Sequence, residues 1–292
     1  MVGSKIGVIF DYDDTLVPDT ATELLKKYGI DHEKFWGEDV KQLLLEGYDP
    51  THAYLKLILN NIGEGKPFGK LTNKDLRAFG KTFDDKFSKG IPEVFTELKE
   101  KVKQYKDIDI EFYIISGGLR EIIIGSDVVK NNFTSVYGCD LAGDTEDDYL
   151  KYVKRAITFT EKTRYIFEIN KGITQDEVKE NAYLVNKDVP VTSRRIPLSN
   201  MIYIGDGLTD IPCFSLITKA SSDHAGNGFA FAVFDSTKPK SAKQALQEYL
   251  MPKRVTGAYS PKFDKDSDLG SVLRAVVTTQ CANITLRNKE PK

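Results

Sequence analysis

The feature that most constrains this chain is a repeated design. A short apolar run rich in β-branched residues stops at glycine or an acidic residue, and a longer stretch with helical spacing follows. Ile6-Gly7-Val8-Ile9-Phe10 ends at Asp11; residues 110–115 end at Ser116-Gly117-Gly118; Met201-Ile202-Tyr203-Ile204 ends at Gly205-Asp206-Gly207; and residues 229–234 end at Asp235. Unbroken apolar runs are what strands buried on both faces require. Residues 92–105, 121–131, 160–170 and 210–219 lie between or beside them with helical periodicity. Strand and helix in alternation predict right-handed crossovers in an open, mostly parallel α/β sheet. Ligands bind such sheets at the carboxyl ends of the strands, which is where every polar break falls.

Residues 19–90 have a different texture. Segments 22–28, 32–46 and 51–61 carry apolar residues at helical spacing with no strand pattern. Two readings stand: a small helical insertion overhanging the strand ends, or extra helices packed on one face of the sheet. From Pro252 the chain is polar and Lys-rich, with a helix predicted over residues 268–281, as an accessory segment or a partly ordered tail.

A length of 292 residues suits one large domain and a smaller one. With 41 Lys+Arg against 43 Asp+Glu, the net charge of −2 supplies no global field for nucleic acid or an anionic membrane, so recognition has to be local. The 40% hydrophobic content excludes a disordered chain. Cys139, Cys213 and Cys281 are odd in number and widely spaced, unlike a disulfide framework or a zinc site, and are expected as reduced core thiols. Residues 1–10 are too poor in apolar residues for a signal peptide, and no stretch approaches the ~18 apolar residues of a membrane span, so a cytoplasmic protein is expected.

Four places carry candidate chemistry. Asp11 and Asp13 follow the first run, and residues i and i+2 of extended backbone face the same way. Two carboxylates packed at a buried strand end repel unless a cation or shared proton compensates, and a hard, oxygen-loving divalent ion such as Mg²⁺ resolves the cost. The plainer alternative is a capped turn. Asp206 sits between glycines that permit a tight turn, and Asp210 stands near the next helix start, where an N-cap is the plainer role. Ser116, before two glycines, offers a hydroxyl and backbone N–H groups to an anion, or acts as an N-cap serine. Lys162 lies near the start of a predicted helix, where a cation opposes the dipole and is misplaced for stability alone.

Together these residues resemble the haloacid dehalogenase superfamily of phosphohydrolases over most of residues 5–235. Asp11-Tyr12-Asp13-Asp14-Thr15-Leu16 is similar to its first motif, Ser116 to the second, Lys162 to the third and Gly205-Asp206-Gly207-Leu208-Thr209-Asp210 to the fourth. Lys171 is a competing third-motif lysine, and the connection over residues 172–197 is longer than the family's usual one. The resemblance implies a Rossmann-like three-layer core over residues 1–18 and 91–250, a helical cap over 19–90 and a C-terminal accessory segment of the core over 251–292. It also implies that Asp11 attacks phosphorus to form an aspartyl-phosphate while Asp13 protonates the leaving alcohol and then activates water. Asp11, Asp206 and the Asp13 carbonyl would hold Mg²⁺. Ser116, Gly117, Lys162 and Thr15 would contact substrate, with Asp210 in support. A carboxylic acid at Asp13 favours phosphomonoester hydrolysis, or phosphoryl transfer between hydroxyls as in a phosphomutase, over dehalogenation. A non-catalytic binding protein on the same fold is the remaining alternative, opposed by the retention of every motif residue.

The cap and Ser116-Gly117-Gly118 most resemble the phosphoserine phosphatase branch. That branch reads its substrate amine with a glutamate four residues past the motif leucine, and Thr20 stands there in this chain. Glu23 is a possible replacement or an exposed helical residue, and Arg120 a leaving-group contact or a surface arginine. The partner expected is therefore a small phosphorylated metabolite of unspecified identity. The acidic stretch 144–148 reads as a solvated hairpin turn and residues 238–243 as a charged helix start. His224, in the polar loop 221–228, has no role that this chemistry needs, and no aromatic stacking surface for nucleic acid is evident.

Overall fold

The computed structural model describes residues 4–219 and 228–289. His224 lies outside the described residues. The strands are β1 (Lys5–Phe10), β2 (Asp109–Leu119), β3 (Ser135–Ala142), β4 (Tyr152–Arg155), β5 (Met201–Gly205), β6 (Phe229–Val233) and β7 (Gly257–Tyr259). They form a seven-stranded sheet in the order β4-β3-β2-β1-β5-β6-β7. The pairs β1–β5, β5–β6 and β6–β7 are parallel and β3–β4 is antiparallel. This is the α/β fold predicted by the buried runs. The chain divides into two compact units, Met1–Asp11, Ser88–Tyr113 and Phe159–Lys292 in one, and Tyr12–Phe87 and Ile114–Thr158 in the other.

In the first unit, Ile6, Val8, Ile9 and Phe10 of β1 and Met201 to Ile204 of β5 are fully buried. Phe10 packs edge-on against Phe95 of helix Glu93–Val102 and against Phe263, each with ring centroids 6.0 Å apart. Phe10 stands opposite Ile204 in the parallel register, and the Asp11 amide donates to the Ile204 carbonyl at 2.8 Å. Asp11 and the Gly205-Asp206 turn therefore leave the sheet at one end.

The C-terminal region differs from a partly ordered tail. Residues 257–259 form the edge strand β7, and one helix runs from Asp268 to Lys289, eight residues past the predicted end. Leu269, Leu273, Val277, Cys281 and Ile284 recur every three or four residues and are buried. That stripe continues past residue 281 to Ile284, while the lysines at 253, 262 and 265 lie before the helix. Gln280 donates to the Ser199 carbonyl at 2.7 Å, and Arg287 donates to Ser199 Oγ and Asn200 Oδ1.

In the second unit, helices Thr20–Lys27, His32–Lys34, Lys41–Leu45, Pro50–Asn60 and Asn73–Lys81, with a π-helical turn at Phe35–Val40, account for the region without strand pattern. Asp19, Asp31, Asp49 and Thr72 accept backbone N–H groups as N-caps, so the starts were written locally. These helices share their unit with residues 114–158, including β3 and β4, the antiparallel pair that the hairpin turn expected at 144–148 requires. The acidic stretch 144–148 joins that antiparallel pair.

Two local expectations are corrected. β2 does not break at Ser116 but runs through Gly117 and Gly118 to Leu119, so Ser116 is a strand residue and not a helix N-cap. The helix expected over 121–131 is two short ones, Arg120–Ile123 and Asp127–Asn132, the second capped by Ser126.

Candidate active site

In the first unit, four of the singled-out residues converge. Lys162 occupies the first turn of helix Glu161–Lys171 and is only 1% exposed. Its Nζ lies 2.8 Å from Asp11 Oδ2 and 2.7 Å from Asp210 Oδ1. Burial alone would lower its pKa, but the Asp11 and Asp210 carboxylates outweigh that and hold the ammonium charged well above the ordinary lysine range. Asp210 closes the short 3-10 turn Leu208–Asp210, accepts the Gly207 amide at 3.0 Å and accepts the Tyr203 hydroxyl at 2.7 Å. A Cβ on residue 205 would sit 2.5 Å from Asp210 Oδ2, so only glycine lets this carboxylate turn back against the strand end.

Asp206 is half-buried, and its carbonyl accepts the Tyr249 hydroxyl at 3.0 Å. One ligand atom from each of Asp11, Asp206 and Asp210 lies within 4.8 Å of the others. Among the described residues, these three carboxylates gather beside the Lys162 ammonium, which pairs with two of them. An all-oxygen donor set of carboxylates fits a hard divalent cation.

Tyr203 was missed by the sequence reading. It is fully buried, and burial followed by the neighbouring Asp210 charge pushes its phenol well above the ordinary range, so it remains a donor. Its only sequence signal was a hydroxyl-bearing ring inside an otherwise aliphatic strand. Cys213, Cys139 and Cys281 are all buried thiols, as expected.

The second unit gathers another set. Asp13 Oδ1 accepts the Thr20 amide at 2.7 Å. Ser116 is 1% exposed, and its Oγ accepts the Gly118 amide at 2.9 Å. A Cβ on residue 118 would lie 2.3 Å from Asp13 Oδ2 and 3.2 Å from Ser116 Oγ, so the bare glycine backbone is what brings strand and carboxylate together. Gly117 offers its carbonyl to the Tyr54 hydroxyl at 2.5 Å. Thr15 and Thr20 are buried. Asp11, Lys162, Asp206 and Asp210 thus meet in one unit and Asp13, Ser116 and Gly118 in the other, with Asp11 and Asp13 two residues apart along the chain.

Lys171 is elsewhere: its Nζ donates to the carbonyls of Val185 and Lys187 at 2.6 and 2.7 Å, tying down the long connection. Glu23 pairs with Lys26 at 2.9 Å and with Lys86 at 3.5 Å. Arg120 donates to the Val136 carbonyl at 3.3 Å and lies against Glu121.

The fold is similar to that of solved hydrolases of the haloacid dehalogenase type. A crystal structure of a HAD family hydrolase from Salmonella enterica serovar Typhi superposes with a TM-score of 0.55 at 16% identity, covering 94% of this chain and 72% of that one. A probable phosphoserine phosphatase from Vibrio cholerae superposes with a TM-score of 0.53 at 14% identity, covering 97% and 67%. These likenesses bear out the α/β fold that the motifs predicted. In sequence, the chain belongs to the same family as an uncharacterized protein of Borreliella burgdorferi, 30% identical over 242 residues that span 73% of this chain and 79% of the relative. No family model matches the chain.

Proposed function

We propose that this protein is a Mg²⁺-dependent phosphatase that hydrolyses a small phosphomonoester through an aspartyl-phosphate. The observation that carries this reading is Lys162, buried between Asp11 and Asp210. Burying three ionic groups costs more desolvation than apolar packing of the same volume, so a buried triad of this kind reads as machinery for an anion and a cation and not as a stability device.

Asp11 supplies the carboxylate that attacks phosphorus, forming its P–O bond as the ester P–O bond breaks. Asp13 gives its proton to the departing alkoxide. In the second displacement Asp13 takes a proton from water, whose oxygen attacks phosphorus and returns Asp11 as carboxylate and the product as inorganic phosphate. Lys162 and Ser116, with Gly117 and Thr15, bind the phosphoryl oxygens, and Asp210 keeps Lys162 aimed. Mg²⁺, held by Asp11, Asp206 and the Asp13 carbonyl, would offset the repulsion between the anionic nucleophile and the phosphate. The division into a core (1–18 and 91–250), a helical cap (19–90) and a C-terminal accessory segment of the core (251–292) belongs to the same proposal. So does a small metabolite as substrate, one that Thr20 would not read through an amine.

The test is phosphate release from an aryl phosphomonoester and a panel of metabolite phosphates, with Mg²⁺ and with EDTA. Turnover that needs the metal and disappears in Asp11→Asn supports the reading. No turnover on any ester from folded, Mg²⁺-supplied protein overturns it, and diversion of the phosphoryl group to an added alcohol in preference to water would make the protein a transferase.

A further inference from the structure

The peptide that joins Gly117 to Gly118 is held at both ends. Its carbonyl accepts the Tyr54 hydroxyl at 2.5 Å and the Cys139 thiol at 3.1 Å, and its amide donates to Ser116 Oγ at 2.9 Å. A peptide between two glycines is the most freely rotating unit of a strand, because neither neighbour has a Cβ to limit it. Its orientation sets where the Ser116 hydroxyl points. The same peptide passes so close to Asp13 that a Cβ on Gly118 would meet Asp13 Oδ2 at 2.3 Å.

Tyr54 lies on helix Pro50–Asn60, 8% exposed, with burial keeping its phenol protonated and therefore a donor. One turn earlier on the same face, Thr51 donates to the Ile157 carbonyl at 3.2 Å, and the Ile157 amide donates to Cys139 Sγ at 3.2 Å. A helix of the 19–90 segment is thus bonded both to the Ser116-Gly117-Gly118 run and to Ile157, just past β4. An apolar helix face would have packed there equally well. Two hydroxyls aimed at backbone carbonyls fix orientation as well as burial.

We propose that Tyr54 is a positioning residue. Its hydroxyl locks the Gly117–Gly118 peptide plane and so sets the Ser116 hydroxyl and the Asp13 carboxylate for phosphoryl transfer. This rests on the phosphatase reading of those two residues. Because the lock orients groups that act on the transferring phosphoryl, it governs kcat more than KM.

The experiment compares wild type with Tyr54→Phe, which keeps the ring, and with Thr51→Val, which removes the neighbouring hydroxyl without touching Gly117. Readouts are the thermal midpoint, the NMR-resolved exchange rate of the Gly118 amide, and kcat and KM on the best ester. For Tyr54→Phe, Gly118 exchange should rise and kcat fall by roughly tenfold or more, with KM within about twofold and little change in Tm. Thr51→Val should leave kcat within about twofold of wild type. A kcat for Tyr54→Phe within about twofold of wild type overturns the proposal, as does an equal loss in Thr51→Val, which would mark a general packing effect. If wild type turns over no ester, the phosphatase reading fails by itself. Gly118 exchange then decides the lock, and an unchanged rate removes it.

Discussion

At the scale of single residues, Lys162 and Asp206 separate stability from function. Lys162 holds two buried carboxylates at 2.8 and 2.7 Å, so Lys162→Met strands both charges and should lower unfolding stability by roughly 3–5 kcal/mol, measured by denaturant titration. An unchanged midpoint would mean that Asp11 and Asp210 find other partners. Asp206 has the opposite sign. It adds a third carboxylate within 4.8 Å of the other two, and without a cation it repels them. Asp206→Asn should therefore raise Tm in EDTA. It should also abolish the rise that Mg²⁺ gives wild type, worth about 2.7 kcal/mol at a hundredfold excess over Kd. A Mg²⁺ response that survives the substitution would remove Asp206 from the metal site. The carboxylates themselves were legible in the sequence, because strand-end acids beside glycine stand out locally. Tyr203 and Tyr54 were not, since a buried tyrosine looks like core until its hydroxyl partner is known.

At the scale of elements, the departures from expectation have two causes. β2 runs through Ser116-Gly117-Gly118 because Gly118 serves close approach to Asp13 and not a turn, and the local sequence signal for the two uses is the same. The helix Asp268–Lys289 outlasts its predicted end because a one-face stripe of buried residues carries it on to Ile284. Leu273, fully buried in that stripe, tests its weight: Leu273→Ala should cost roughly 2–5 kcal/mol, read from the shift in the denaturation midpoint. A cost under about 1 kcal/mol would indicate that the helix is peripheral to the core.

At the scale of the whole molecule, residues remote in sequence are tied by charge. Glu111 in β2 bonds Lys5 Nζ of β1 at 2.6 Å and Arg195 Nη2 at 2.6 Å. Burial would raise its pKa, but the bonds from Lys5 and Tyr113 and the Arg195 and Lys5 charges prevail and hold it below the ordinary 4.5. A depressed carboxylate stabilises the fold fully above its unfolded value and loses that contribution as pH falls through the folded one. Wild type should therefore exceed Glu111→Gln in Tm at pH 6, and the gap should narrow as pH drops below 4.5. A constant gap across that range would show that packing, not charge, holds the network.

The order of strands and helices, the parallel class of the sheet and the acids at its strand ends were determined by the sequence alone. They rest on periodicity, caps and glycine, which act over a few residues. Motif order in the sequence favoured Lys162 over Lys171, but the bond from Lys162 to Asp11, 151 positions away, was decided by the tertiary structure. Their meeting follows from Phe10 standing opposite Ile204 and from the helix Glu161–Lys171 presenting its first turn to that sheet end. Tertiary structure also decided the extent and register of β3 and β4 on either side of the expected hairpin turn. Such choices depend on register between distant segments, and register is a property of the packed chain and not of any window along it.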